Sequence, residues 1–341
     1  MKIFTIGSEE VYAIESLYIK YLRAMGIEVY HYAAQSKFYR YYYKSTSNKI
    51  KFRLGLSDIL QVINKEIIKE IKHVQPDFLF IFKGMEVSPA TLKAVKEMGI
   101  KTFNYNPDNP FIFSSKGSGN KNVTNSISLY DFHFTYNLEV KRTIEEKYQI
   151  PAYWLPFGFD ISEALFSTAS SINEVIKTCF VGNPDKARVR FIMYLANTGI
   201  KIDIYGNDWS KFIKHKNITV FSPVYKDELW FTLRKYRVQL NPLRVHNVDS
   251  HGMRSFEVPA IGGIMLAPRT TEHVQFFDEG KEAFFYDNVE DAVSKVHYLL
   301  SLPKEKSNMI REAARKRSLQ SGYSYKDRTA EVLNILNSIE A

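Results

Sequence analysis

Short apolar runs alternating with helically spaced segments predict an α/β protein built on two successive parallel sheets. Runs such as Phe-Leu-Phe-Ile-Phe at 78–82 and Thr-Cys-Phe-Val at 178–181 are too short for helices, and each leads through turn formers into a stretch of helical spacing. The length of 341 residues also suits two cores of about 100–200 residues each.

In the first half, residues 2–6 read as a strand, the turn Gly7-Ser8-Glu9 follows, and residues 11–24 carry helical periodicity stopped at Gly26. Residues 28–32 form the next strand, and a basic loop follows it. Beyond the loop, 58–74 is an amphipathic helix and 78–82 a buried strand. Ser88 opens another helix with Pro89 in its first turn, Gly99 closes it, and 101–105 is a strand. Asn106-Pro107-Asp108-Asn109-Pro110 is a loop of turn formers, and 117–125 reads as a mobile loop. A strand at 132–135, a helix at 138–148 and a strand at 152–155 complete this half.

A linker near 162–173 precedes a second unit of the same kind. Its expected strands are 177–181, 201–205, 218–221, 238–240 and 264–267, with helices at 188–197, 226–236, 254–261 and 291–301. The expected domains are 1–162 and 174–322, followed by a terminal segment at 323–341. Ligands of such sheets bind beyond the carboxyl ends of the strands.

Composition narrows the class. A hydrophobic fraction of 45% argues against disorder, and the single cysteine, Cys179, forbids an internal disulfide and suits a reducing, cytoplasmic setting. Met1-Lys2 leads directly into a strand-like run, so no secretory leader is expected. The net charge of +9 is spread almost evenly, with one local exception. Between Glu28 and Asp58 there is no acid, while Lys37, Arg40, Lys44, Lys49, Lys51 and Arg53 are interleaved with Tyr39, Tyr41, Tyr42, Tyr43 and Phe52. Such a mixture can meet an anionic bilayer or a phosphorylated acceptor, and it is also what a solvated loop with packed tyrosines looks like. No nucleic-acid motif accompanies it, and no P-loop, His-Glu-x-x-His or clustered Cys/His metal site occurs.

Residues 249–280 are the most informative. Arg254 and Glu257 stand one helical turn apart and can meet one ligand together, Arg254 offering a planar fork to phosphate and Glu257 accepting from sugar hydroxyls. The same spacing also makes an ordinary helix salt bridge. From Tyr236 to Gly280 the chain resembles the nucleotide-sugar half of a GT-B glycosyltransferase, in particular the domain of CgeB-like (spore-maturation-protein-B-like) proteins. The residues that carry the likeness are Leu240-Asn241, Arg254-Ser255-Phe256-Glu257, Ala260 with Gly262-Gly263, Met265-Leu266 and Phe277-Asp278-Glu279-Gly280.

The resemblance implies two Rossmann-like domains facing a cleft, with the last helix crossing back to the first domain. It also implies a loop at Gly182 with Arg188 or Arg190 near the diphosphate, Tyr205-Gly206 beside the nucleotide and Val224 beside the base. His251, Gly252 and Met253 would lie against the donor ahead of Arg254 and Glu257, and His246 is a further loop candidate. Asp249 is separated from Glu257 by seven intervening residues, where retaining relatives carry a glutamate, and Asp108 is a candidate base at the edge of the first domain. Lys37, Arg40 and Lys44 are candidates for acceptor or membrane contact.

The implied activity is transfer of a sugar from a nucleoside-diphosphate sugar to an acceptor hydroxyl in cell-surface polysaccharide or glycoconjugate synthesis. The acceptor is expected to be a carbohydrate, lipid-linked or protein group, at the cytoplasmic side of a membrane. No metal, no further cofactor and no nucleic-acid partner are expected. The rivals are a sugar-nucleotide epimerase of the same fold and a non-catalytic protein binding membrane or nucleic acid.

Overall fold

The computed structural model describes residues 1–113, 117–247 and 249–340. Its contacts divide the chain into two units, Met1–Pro156 and Phe157–Ala341. The first unit runs β1 (Lys2–Ile6), α1 (Ile14–Ala24), β2 (Glu28–Tyr32), α2 (Ala34–Lys44), α3 (Thr46–Arg53), α4 (Ile59–Val74), β3 (Phe78–Phe82), α5 (Pro89–Glu97), β4 (Lys101–Asn106), α6 (Lys121–Ser126), β5 (Phe132–Thr135), α7 (Leu138–Tyr148) and β6 (Ala152–Trp154). The second runs α8 (Glu163–Ser170), β7 (Val175–Val181), α9 (Lys186–Asn197), β8 (Ile202–Tyr205), β9 (Ile218–Phe221), α10 (Lys226–Lys235), β10 (Tyr236–Leu240), α11 (Arg254–Ala260), β11 (Met265–Pro268), α12 (Thr271–Phe276), β12 (Phe284–Tyr286), α13 (Val289–Ser301), α14 (Lys304–Gln320) and α15 (Tyr325–Glu340).

Each unit is built on a six-stranded sheet, ordered β2-β1-β3-β4-β5-β6 in the first and β12-β11-β10-β7-β8-β9 in the second. Every paired strand runs parallel to its neighbour. The second order is that of a doubly wound nucleotide-binding sheet, whose direction of winding reverses between β7 and β10. In the first sheet the reversal falls between β1 and β3.

Helix α4 shows why these segments fold as they do. Ile59, Ile63, Ile67, Ile71 and Val74 form one buried stripe against the first sheet. Buried phenylalanines fill the sheet interior, with Phe80 and Phe103 stacked at 4.3 Å. The second core gathers Ile192, Leu195, Ile202, Ile204, Val238 and Leu266.

The expected basic loop is instead α2 and α3. Phe38, Tyr41 and Phe52 pack on the core of the first unit, which turns the aromatic spacing into helix faces. The expected linker contains α8, capped by Ser162, whose hydroxyl accepts from Leu165 N at 3.2 Å. Within the expected mobile loop lies α6, capped by Asn120. Helices α12 and α14 add to the expected set. No helix among the described residues is long and apolar enough to cross a membrane.

Candidate functional site

The second sheet places its site where the winding reverses, at the carboxyl ends of β7 and β10. Beyond β7, Gly182 N donates to Tyr205 O at 2.9 Å, and Gly182 O accepts from Trp209 Nε1 at 2.7 Å. A Cβ on Gly206 would lie 2.1 Å from Gly182 O, so only glycine lets the ends of β7 and β8 approach this closely. Trp209 is fully buried and serves this turn. Tyr205 stacks on Phe221 at 4.8 Å, and its hydroxyl meets Tyr236 Oη, which donates to Asp203.

Arg188, on the first turn of α9, reaches across the reversal point. Its Nε donates to Pro242 O beyond β10 at 3.0 Å, and an η nitrogen donates to Asn183 O beyond β7 at 3.2 Å. Burial pushes its pKa down to about 10, the charges of Arg244 and Arg254 add to this, and Asp185 opposes it. Three guanidinium groups therefore share one electrostatic neighbourhood, which an anion would relieve. Arg190 is exposed on another face of α9. Asp185 caps this helix, accepting from Ala187 N at 2.9 Å and Arg188 N at 3.0 Å. The cap occupies those two amides, so an anion at this strand end would have to be met by arginine side chains.

Arg254 and Glu257 form an ion pair with side-chain exposures of 26% and 8%, so the pair is far more enclosed than a solvated helix bridge. Arg254 Nε is buried with no protein partner. The short helix α11 that carries the pair is fixed by an ordered set of hydrogen bonds. Ser255 Oγ accepts from Asn241 Nδ2 (3.0 Å) and Gly252 N (3.1 Å) and meets His273 Nε2 at 2.8 Å. His273 Nδ1 lies 2.8 Å from Pro268 O, a pure acceptor. Nδ1 therefore carries the proton, and Nε2 accepts from Ser255. Burial pulls the His273 pKa down to about 4.

His251 is fully buried among Phe157, Phe256 and Phe276. Its Nε2 accepts from Phe157 N at 3.2 Å, so its Nδ1 proton is the one directed at Glu272. The ring supports the turn before α11 from behind. Asp249 has φ +53°, and its carboxylate accepts from Thr271 N at 2.6 Å. Met253 occupies the position before α11 without capping it through its side chain. Val224 is half-buried just ahead of α10. The side chain of His246, and Val248, lie outside the described residues.

In the first unit, Asp108 is paired with Lys83 at 2.7 Å. Lys37 is paired with Glu66, and Arg40 with Glu9 at 2.5 Å. Lys44 is exposed at the end of α2. Two of the three candidate cations of α2 are thus neutralised by partners rather than spread as a basic patch.

Sequence reasoning passed over Glu15 and Glu86, buried near the reversal point of the first sheet. Glu15 accepts from Ser8 N at 2.5 Å. Burial pushes the Glu86 pKa up to about 7, with its own backbone amide and Lys83 opposing and Glu15 adding. The available signal was position: Glu86 follows β3 in Lys83-Gly84-Met85-Glu86, with Lys83 and Gly84 at φ +62° and +92°.

Residues 188–334 match the family described as Glycosyl transferase-like. No curated protein matches the chain. Among solved structures, a glycosyltransferase from Rickettsia africae is 14% identical with TM-score 0.64, covering 99% of this chain and 98% of its own. Anabaena HepE in complex with UDP-glucose is 9% identical with TM-score 0.66, covering 99% and 100%. The UDP-GlcNAc 2-epimerase of Neisseria meningitidis, bound to UDP-GlcNAc, is 13% identical with TM-score 0.58, covering 99% and 100%. At such identities the likeness establishes the GT-B fold, and residues 188–334 are similar to the Glycosyl transferase-like family.

Proposed function

We propose that this chain transfers a sugar from a nucleoside-diphosphate sugar, of the uridine series, to an acceptor hydroxyl. The observation that carries the reading is Arg188, bridging the carboxyl ends of β7 and β10 beside Arg254 within the glycosyl transferase-like domain. The uridine series is favoured because HepE and the Neisseria epimerase were each solved with a uridine diphospho-sugar.

In the transfer, the acceptor oxygen forms a bond to the anomeric carbon and loses its proton to a base. The nucleoside diphosphate leaves with the electron pair of the bond it gives up. Arg188 and Arg254 stabilise that developing charge, and their fixed positions make the stabilisation electrostatically preorganised. Glu257, enclosed and turned to Arg254, aligns the guanidinium and accepts from the ribose. The Gly182 and Gly206 turns leave room for the diphosphate, and the Val224 loop takes the base. Asp108, oriented by Lys83, is the assigned base, and Asp249 is assigned to its turn. Within this reading the chain is CgeB-like, works without a metal, and modifies a carbohydrate or lipid-linked acceptor at the cytoplasmic face of a membrane.

Thermal stabilisation by a panel of nucleoside diphosphates tests the donor half of this reading, because a ligand of the folded state raises its melting temperature by mass action. UDP is expected to stabilise the wild type. Arg188→Ala is expected to weaken binding roughly tenfold to a hundredfold, the loss of charge-assisted hydrogen bonds. Equal stabilisation of wild type and variant would remove Arg188 from the site.

A further inference from the structure

Helices α2 and α3 enclose a cavity of about 470 Å³ together with the loop between β3 and α5. Its wall is aromatic, with Phe38 4.8 Å from Phe52 and 5.6 Å from Tyr42. Two of its lining residues are charged, Glu86 and Arg53. Glu86 is 6% exposed and is held by Asn64 of α4, whose Nδ2 donates to the Glu86 carbonyl at 2.9 Å. Arg53 is exposed at the end of α3, and no carboxylate pairs with it among the described residues. The volume is in the range of pockets that hold small organic ligands, roughly 300–1,000 Å³. The placement beyond β3, beside the reversal point of the first sheet, is where such sheets bind ligands.

We propose that this cavity holds the acceptor, an alcohol with an apolar body and an anionic group. The body lies against Phe38, Tyr42 and Phe52, the anionic group meets Arg53, and a polar group of the acceptor other than the reacting hydroxyl is hydrogen-bonded to Glu86. The assignment rests on the transferase reading for the word acceptor, while the cavity and its ligand chemistry stand on the residues themselves. It also gives the basic-aromatic segment a role: its rings build the wall of a pocket, and its unpaired arginine selects for negative charge.

The test uses the full-length protein and 1-anilinonaphthalene-8-sulfonate, an apolar aromatic body carrying one sulfonate, read by its fluorescence on binding. One equivalent is expected to bind, and Arg53→Met is expected to weaken it about tenfold, a loss of about 1.4 kcal/mol. The groups acting on Glu86 are its own amide, Lys83 and Glu15, and Tyr39 of α2 faces both Glu86 and Asp108. Since Glu86 ionises near neutrality, wild-type affinity for the anionic dye should fall as pH rises through 7, and Glu86→Gln should flatten that fall.

Absent or multi-site binding, affinity unchanged in Arg53→Met, or an unaltered pH profile in Glu86→Gln would each overturn the proposal. Thermal stabilisation by UDP is measured in parallel on the same proteins. UDP stabilisation without the dye result sinks the cavity assignment alone. The dye result without stabilisation by any nucleotide leaves a ligand cavity standing and sinks the transferase reading.

Discussion

Individual side chains in this molecule are held in charge states set by what surrounds them. Glu86 takes up its proton more readily when folded than when unfolded, so its burial costs stability progressively as pH rises from 4.5 to about 7. Glu86→Gln should therefore melt higher than wild type above pH 7 and equally at pH 4, which paired melting curves would show. An equal difference at both pH values would contradict the burial argument. His133 and His273 run the other way. Each is buried and neutral, with its pKa pulled from 6.5 down to about 4. Their contribution is complete above pH 6.5 and is lost as pH falls toward 4, up to roughly 3 kcal/mol for each. Replacing His273 with Gln should lessen the acid sensitivity of the fold between those limits, measured as the denaturation midpoint against pH.

Elements differ in how plainly the sequence announces them. Helix α7, strand β9 and the buried strand β3 fall where the periodicity puts them, because their inward faces are uniformly apolar. Helix α14 is silent in that language. Its buried face carries Ser307, Ile310, Arg311, Ala314, Arg315 and Ser318, and arginine reads as solvent-facing until its partners are known. Those partners are far away in sequence. Arg311 donates to Arg234 O, Gly262 O and Tyr236 O, and with Arg237 it grips Glu174. Glu174→Ala would leave two buried guanidinium groups without their carboxylate, and is expected to destabilise the protein by about 3–5 kcal/mol. A loss below about 1 kcal/mol in chemical denaturation would show that the network contributes little.

The candidate site was legible in the same uneven way. Arg254 and Glu257 stood out by their spacing, whereas the turn at Gly182 pointed to Arg188 and Arg190 without distinguishing between them. Their mutual pairing, the capping of α9 by Asp185 and the supporting role of His251 depend on partners that only the folded chain brings together. Helices α2 and α3 were hidden by their charge: six cations without an acid resemble a solvated loop, although Phe38, Tyr41 and Phe52 among them pack on the core.

At the scale of the whole molecule, two parallel sheets with different strand orders share one design, in which chemistry-bearing residues gather where the winding reverses. Strand order was beyond reach of the sequence, since local periodicity identifies strands but not which of them lie side by side. All the donor-side residues named above fall in Phe157–Ala341. That unit expressed alone should retain stabilisation by UDP, and a fragment that folds but shows no nucleotide response would place part of the donor site elsewhere.

The central claim is that the bond between sugar and diphosphate is broken and the sugar passed on. It is tested most directly by following the nucleotide sugar that stabilises the protein with phosphorus and proton magnetic resonance during incubation with enzyme and cell extract. The transferase account predicts that nucleoside diphosphate accumulates and the glycosyl phosphate signal disappears, faster with extract than without it, and slower in Arg188→Ala. An intact nucleotide sugar whose ring protons report a changed configuration, at a rate indifferent to extract, would contradict it and make the protein an epimerase.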